Sequence, residues 1–429
     1  MTTPKTPETN GDQTPHDGKH THAWFLEPGA NASSQIISED GLNNIASHKY
    51  KSGHYTYLDT FFNPAWTFLT GLLPLWMAPN MVTTLGGIHC GISYATVWWY
   101  SYNFDSSVPD WVIVLSAYCT FAYYTLDCMD GKQSRRTGTS SPLGQLFDHG
   151  FDCICNLSHL SNVAALSLVG QTPNWYFLVQ GSLQYAFFMA QWEEYYTEVL
   201  PHAVGKFIGV TEVNYGIALI TFANAFIDRE TFWSTPLEWF LPGQISEAIL
   251  GSETPVHGVL QHIISMEVRH VAFSLWAFML VCLVSSSFYR VLKHVRSFKG
   301  GLSAVSKLIS PTLLAVSPYI IPPHLRSLHI RKISVAVGLM FSLLTKKMIV
   351  FSMAKQTFAC LQPHVMPYLI VCACLRFSDE FAEVGARMSL RLFCLYHAYK
   401  LLSWCEIVIQ QICDKLDIYC FTIKKKKTA

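Results

Sequence analysis

Ten runs of about 20 mostly apolar residues recur along this chain, near 81–101, 109–127, 143–169, 173–192, 207–226, 268–289, 302–321, 333–352, 362–378 and 391–413. A run of that length crosses the hydrocarbon core of a bilayer as a helix, whose backbone groups satisfy one another where no water can. The expected fold is an all-α polytopic membrane protein with about ten transmembrane helices. Ahead of the first run, 55–75 mixes aromatic residues with Pro64 and Asp59, the pattern of an amphipathic helix lying in the interface. Trp98, Trp99 and Tyr100 close the first run as an aromatic belt. Composition agrees: 50% of the 429 residues are hydrophobic and 14% charged, against about 25% charged in soluble chains.

Charges between the runs orient them. The 102–108 and 170–172 connections carry no Lys or Arg, whereas 131–142 holds Lys132, Arg135 and Arg136, and 290–299 holds Arg290, Lys293, Arg296 and Lys299. Basic connections alternating with bare or acidic ones place both termini and 131–142 in the cytoplasm. Arg326, Arg331 and Lys332 fall on the other side and run against this alternation. Three segments follow: a polar, disordered cytoplasmic tail over 1–50, a membrane domain over 51–415 and a basic cytoplasmic tail over 416–429. Lys426-Lys427-Thr428-Ala429 has the form of a dilysine retrieval signal for the endoplasmic reticulum, or of a basic membrane flank. A net charge of +1 gives no reason to expect nucleic acid. The 13 cysteines sit in apolar stretches without metal-ligand spacing and read as reduced, buried residues.

Carboxylates inside a span cost roughly 2.5–3.5 kcal/mol each, so they mark function. The stretch 126–152 holds Asp127, Asp130, Asp148 and Asp152. Spacings of three and four put each pair on one helix face. Two such helices side by side present four carboxylates to one place, where bare charges would repel. A divalent cation resolves that conflict, and an all-oxygen ligand set selects Mg²⁺ or Mn²⁺. A pair of ions can clamp a phosphoryl group and its leaving oxygen. Gly131 and Ser134 are small enough to let a ligand reach the helix backbone, Arg135 can pair with a phosphate, and Gly144 does for the second helix what Gly131 does for the first. Asn80, after Pro79, reads as a helix cap, and with Thr83 it stands at a helix N-terminus suited to phosphate.

With these residues in place, Asp127-x2-Asp130-Gly131-x2-Ser134-Arg135-x8-Gly144-x3-Asp148-x3-Asp152 resembles the motif of the CDP-alcohol phosphotransferase family at seven of eight fixed positions, Ser134 standing where that family usually has Ala. DGKQSRRT, SPLGQLFDHG and APNMVTTLG look like its eukaryotic choline/ethanolamine branch. The resemblance implies a ten-helix fold, usually a homodimer, with the site at the cytoplasmic end. It implies a metal pair on Asp127, Asp130, Asp148 and Asp152, and cytidine diphosphate on Gly131, Arg135 and Gly144. It further implies CDP-choline or CDP-ethanolamine as donor, diacylglycerol from the surrounding membrane lipids as acceptor, and phospholipid plus CMP as products. A synthase using CDP-diacylglycerol shares the core motif, and an ion-coupled transporter is the rival of another class.

An alcohol is a poor nucleophile at neutral pH, so the reaction needs a base. Asp152 is the candidate by position, but a metal-bound carboxylate is weakly basic. His149, next to Asp148, is better matched to pH 7, and Glu212, with no basic residue in its own stretch, is its expected partner. Tyr123 and Tyr124, close before Asp127, are the aromatic candidates for a trimethylammonium group.

Overall fold

The structure, a computed structural model, describes residues 36–243, 247, 249, 255–377 and 382–424. It is helical, apart from one two-stranded hairpin, Ala203–Val204 (β1) with Ile208–Gly209 (β2), paired antiparallel. A helix stands at every one of the ten predicted runs: α3 (Pro79–Tyr100), α4 (Asp110–Thr137), α5 (Pro142–Ser167), α6 (Pro173–Thr197), α7 (Val210–Ala223), α10 (Val268–Val295), the pair α11 (Phe298–Ser306) and α12 (Ile309–Ile320), α14 (Ile330–Ala354), α15 (Met366–Phe377) and α16 (Ala382–Leu416). Among the described residues, four helices are long and apolar enough to cross a membrane: α4, α10, α14 and Val384–Leu416 within α16. The chain is an all-α membrane protein of this kind.

Local chemistry explains where these helices start and stop. Ser141 caps α5 by accepting a hydrogen bond from the Gly144 amide, and Pro142 fills the first position, where a missing N–H costs nothing. Gly138, in the left-handed region at φ 66°, ends α4. The seventh run breaks at Lys307 and Leu308 because Pro311 lies in the first turn of α12 and its ring excludes a helical carbonyl at Lys307. The fifth yields a helix of only 14 residues, because its first residues are spent on the hairpin.

Helix α14 is the central pillar: 89% of its apolar window is buried, between α5, α6 and α16, whereas α10 and α16 turn theirs outward at 17% each. Helices α3, α4 and α5 pack on one another, α5 being the one that meets this pillar, and α7 closes on α4. Helix α2 (Tyr57–Leu72) runs along α4. A capping box begins it, the Thr56 hydroxyl accepting from the Asp59 amide while the Asp59 carboxylate accepts from the Thr56 amide. Phe61, Phe68 and Leu72 remain exposed on it.

Three expectations change here. The segment 36–50, placed in the polar tail, carries helix α1 (Glu39–Ser47), which buries Leu42 and Ile45 beside Ile37 against α14 and α16. The apolar signal is three residues wide and is hidden among polar neighbours. Residues 1–35 and the lysines at 425–427 lie outside the described residues. The connection predicted over 131–142 shrinks to 138–141, because α4 continues to Thr137. Arg331, at odds with the charge alternation, is a buried bolt. Its Nε donates to the Tyr102 carbonyl at 2.6 Å and its Nη2 to that of Ser101 at 2.8 Å, beyond the last turn of α3, and its guanidinium lies 3.9 Å from the Phe104 ring centre.

Candidate active site

Asp127, Asp148 and Asp152 meet where α4 and α5 run side by side: each offers one carboxylate oxygen, and these atoms lie within 4.8 Å of one another. Asp127 Oδ1 and Asp148 Oδ1 are buried with no hydrogen-bond partner in the protein. Buried carboxylate oxygens without partners are costly unless a cation completes them, and an oxygen-only set suits a hard divalent ion. The residues present therefore fit Mg²⁺ or Mn²⁺. Asp152 Oδ1 accepts a hydrogen bond from the Tyr123 hydroxyl. Asp130 is turned toward α3, where the Thr83 hydroxyl donates to its Oδ2 at 2.5 Å. The four predicted carboxylates are brought together, three as a tight group and the fourth held to one side.

The two motif glycines face space. A Cβ on Gly131 would meet only the Arg135 Nη1, at 3.7 Å, and one on Gly144 only the Ser141 Oγ, at 3.9 Å. The Arg135 guanidinium thus lies over Gly131, at the rim of the carboxylate group. Ser134 points back to its own helix, its hydroxyl donating to the Gly131 carbonyl at 2.8 Å.

The α3 end of the site differs from expectation. Asn80 does not cap its helix: Ala78 holds the cap position without a side-chain bond, and Pro79 and Asn80 follow inside the helix. The Asn80 amide donates instead to the Cys420 carbonyl at 2.9 Å, tying α3 to the C-terminal segment. Tyr124 is likewise committed, sharing a 2.6 Å hydrogen bond with Thr211, and Tyr123 is buried on Asp152. Neither offers an open ring face to a cation.

His149 is buried beside Asp148, its Nε2 3.7 Å from Asp148 Oδ2 and its Nδ1 without a partner. No hydrogen bond or ion pair joins it to Glu212 among the described residues, and Glu212 Oε2 is also buried without a partner. The ring neighbours of His149 are ones that sequence reading missed, Tyr50 at 5.7 Å and His202 at 6.5 Å between centroids. Tyr50 and His202 share a 2.5 Å hydrogen bond between the hydroxyl and Nε2. Burial holds the His202 imidazole below its ordinary value, partly offset by Asp59. The signal available was the density of Tyr and His over 48–57, which the reading assigned to a tail and the foot of α2.

Residues 76–241, which contain the site helices α3, α4 and α5, match the family model described as CDP-alcohol phosphatidyltransferase. Over those residues the chain carries a domain similar to that family. It is similar to choline/ethanolaminephosphotransferase 1 of Arabidopsis thaliana, 28% identical over 405 residues that cover 91% of this chain and 99% of the relative. An uncharacterised class-I member of the family from Dictyostelium discoideum is 29% identical over 410 residues, with the same coverage. Cholinephosphotransferase 1 of Homo sapiens is 32% identical over 202 residues, 47% of this chain and 49% of that protein. The protein is thus a transferase that carries this domain.

Proposed function

We propose that the protein transfers phosphocholine, phosphoethanolamine or both from the CDP-alcohol to diacylglycerol, releasing CMP and forming phosphatidylcholine or phosphatidylethanolamine. The carrying observation is the group of Asp127, Asp148 and Asp152 within 4.8 Å, with two buried unpartnered oxygens, beside two glycines that face open space. The names of the similar plant and animal proteins support the same substrates.

Each residue has a role in this reading. Asp127, Asp148 and Asp152, with Asp130 held by Thr83, would hold Mg²⁺ or Mn²⁺, as two ions. Metal bound there would neutralise the carboxylates and stabilise charge developing on the diphosphate. Gly131 and Gly144 let the nucleotide diphosphate approach the helix backbones, Ser134 keeps that surface low, and Arg135 pairs with a phosphate. Asn80, through Cys420, fixes the end of α3 from which Thr83 reaches Asp130. The diacylglycerol oxygen attacks the β-phosphorus, the bond to the bridging oxygen breaks, and CMP leaves with the electron pair. The hydroxyl proton goes to His149, whose Nδ1 has no other partner; Glu212, its oxygen equally uncommitted, is the group that would stabilise the imidazolium. Asp152 is the alternative base.

The same reading takes α2 as an interfacial helix before about ten spans, the site as facing the cytoplasm, the enzyme as a homodimer, and the membrane as that of the endoplasmic reticulum. Exposed Phe61, Phe68 and Leu72 on α2 support the first point. The experiment is direct: purified protein in lipid nanodiscs with diacylglycerol, either CDP-alcohol and Mg²⁺. CMP and the matching phospholipid should form in equal amounts, and Asp127→Ala or Asp148→Ala should form neither. Full turnover in excess chelator would remove the metal reading, and turnover only with CDP-diacylglycerol would move the enzyme to the other branch.

A further inference from the structure

We propose that Tyr50, Tyr55 and His202 form the wall that receives the cationic end of the transferred alcohol, and that this wall favours a quaternary over a primary ammonium group. The inference rests on the transfer reaction just described and adds a specificity subsite to it.

The three rings are arranged around one another at the edge of the carboxylate group. Tyr55 stacks on His202 with centroids 6.4 Å apart and planes 8° from parallel. Tyr50 meets His202 edge-on at 6.2 Å and lies 5.7 Å from His149, which follows the metal-site residue Asp148. The wall thus begins one ring away from the reacting centre. Tyr50 is 43% and Tyr55 65% exposed, so ring surface remains open to a ligand although the segment itself is held in place.

That segment is fastened by backbone pairing. The Gly53 amide donates to the Leu200 carbonyl at 2.8 Å, and the Leu200 amide to that of Lys51 at 3.2 Å. The strands come so close that a Cβ on Gly53 would stand 2.9 Å from the Leu200 oxygen, so glycine is required there. The Tyr57 amide donates to the Lys206 carbonyl at 3.0 Å. Rings held in advance lose little freedom when a ligand arrives.

Polar chemistry around the wall explains the selectivity. The Tyr50 hydroxyl is bonded to His202 and the Tyr55 hydroxyl to Ser52 Oγ at 3.1 Å. Neighbouring carboxylates other than Glu212 are also engaged: Glu194 accepts from Gln145 at 2.8 Å, Glu198 pairs with Lys51 and Lys355, and Asp59 serves the cap of α2. What the wall itself offers is π surface. A quaternary ammonium has no N–H to satisfy and binds ring faces well, whereas a primary ammonium at the wall leaves water for hydroxyls and carboxylates that are mostly taken.

The test uses the full-length protein in nanodiscs and reads KM for CDP-choline and CDP-ethanolamine separately, with thermal stability as the check on folding. Tyr50→Leu and Tyr55→Leu should each raise KM for CDP-choline about tenfold. The KM for CDP-ethanolamine should rise less than threefold, and the melting temperature should hold. Tyr50→Phe and Tyr55→Phe keep the ring faces and should stay within threefold for CDP-choline. They also carry the test if a Leu variant fails to fold, because a tenfold loss in both Phe variants would show that hydroxyls and not faces matter. Equal effects of the Leu changes on both donors, or a loss confined to CDP-ethanolamine as expected if Glu212 received the ammonium, would overturn the subsite. If the unmodified protein releases no CMP from either donor, the transfer reaction itself fails. A working enzyme indifferent to the Leu changes removes only the wall.

Discussion

Gly87 sets how closely α3 and α5 approach beside the carboxylates, and replacing it with alanine tests whether that spacing matters to catalysis. The added Cβ would stand 2.1 Å from Phe151 Cε1 and 2.6 Å from its Cδ1, where ordinary contact begins at 3.4 Å. The ring has to retreat by more than an ångström, and Phe147 already packs against it at 5.3 Å between centroids. Overpacking of this kind costs about 1–3 kcal/mol of stability. Phe151 stands three residues after Asp148 and one before Asp152, so a shift of its turn carries both carboxylates with it. A displacement near 1 Å at a reacting centre lowers turnover about 100-fold. Gly87→Ala should therefore remain folded and lose about 100-fold in kcat with both donors. Gly91→Ala, one turn further along α3 with nothing within 4 Å of its Cβ, should leave kcat unchanged. Combining Gly87→Ala with Phe151→Leu should recover most of the activity. Turnover of Gly87→Ala within threefold of the unmodified enzyme, or no recovery in the double variant, would refute the argument from helix spacing.

His149→Gln should leave KM for the CDP-alcohol unchanged and lower kcat at least 100-fold; retained turnover would pass the role of base to Asp152. Arg331→Met removes two charge-assisted bonds to the Ser101 and Tyr102 carbonyls and should cost about 3–5 kcal/mol, read as lower thermal stability with KM unchanged. For His202, burial lowers the folded pKa below the unfolded value, so the neutral ring is the one the fold prefers. Its contribution is complete above about pH 6.5 and is lost as pH falls below that value. The protection factors of the Gly53 and Leu200 amides, corrected for intrinsic exchange, should therefore fall between pH 7.5 and 5.5, and those of a His202→Gln variant should change less.

What could be read from the sequence divides by distance along the chain. The carboxylate group was legible because its four members lie within 26 residues and helical periodicity turns each pair to one side. Its surroundings were not, because the contacts that define them join distant segments: Asn80 finds its acceptor at Cys420, and Tyr50 finds His202. Asn80 after Ala78 and Pro79 looks like a cap by local rules, and only the returning C-terminal segment offers its amide a better acceptor. Tyr50 and Tyr55 precede the first capping residue of α2, and nothing in their immediate neighbours announces the hairpin that fastens them. Arg331 shows the same limit in reverse: counted as a loop charge it opposed the topology, yet its guanidinium is spent inside the protein on two carbonyls.

The bond from Asn80 to Cys420 also bears on how the enzyme is made. Its two ends are separated by 340 residues, and the second belongs to the segment after α16, where the Phe421 ring meets Phe147 of α5 edge-on at 5.5 Å. Met77 and Thr422 form a β-bridge alongside. The 340 residues that separate Asn80 from Cys420 have therefore to be made before the foot of α3 can be locked. A chain interrupted between Asp152 and Cys420 carries every carboxylate of the site but not the clasp at the foot of α3.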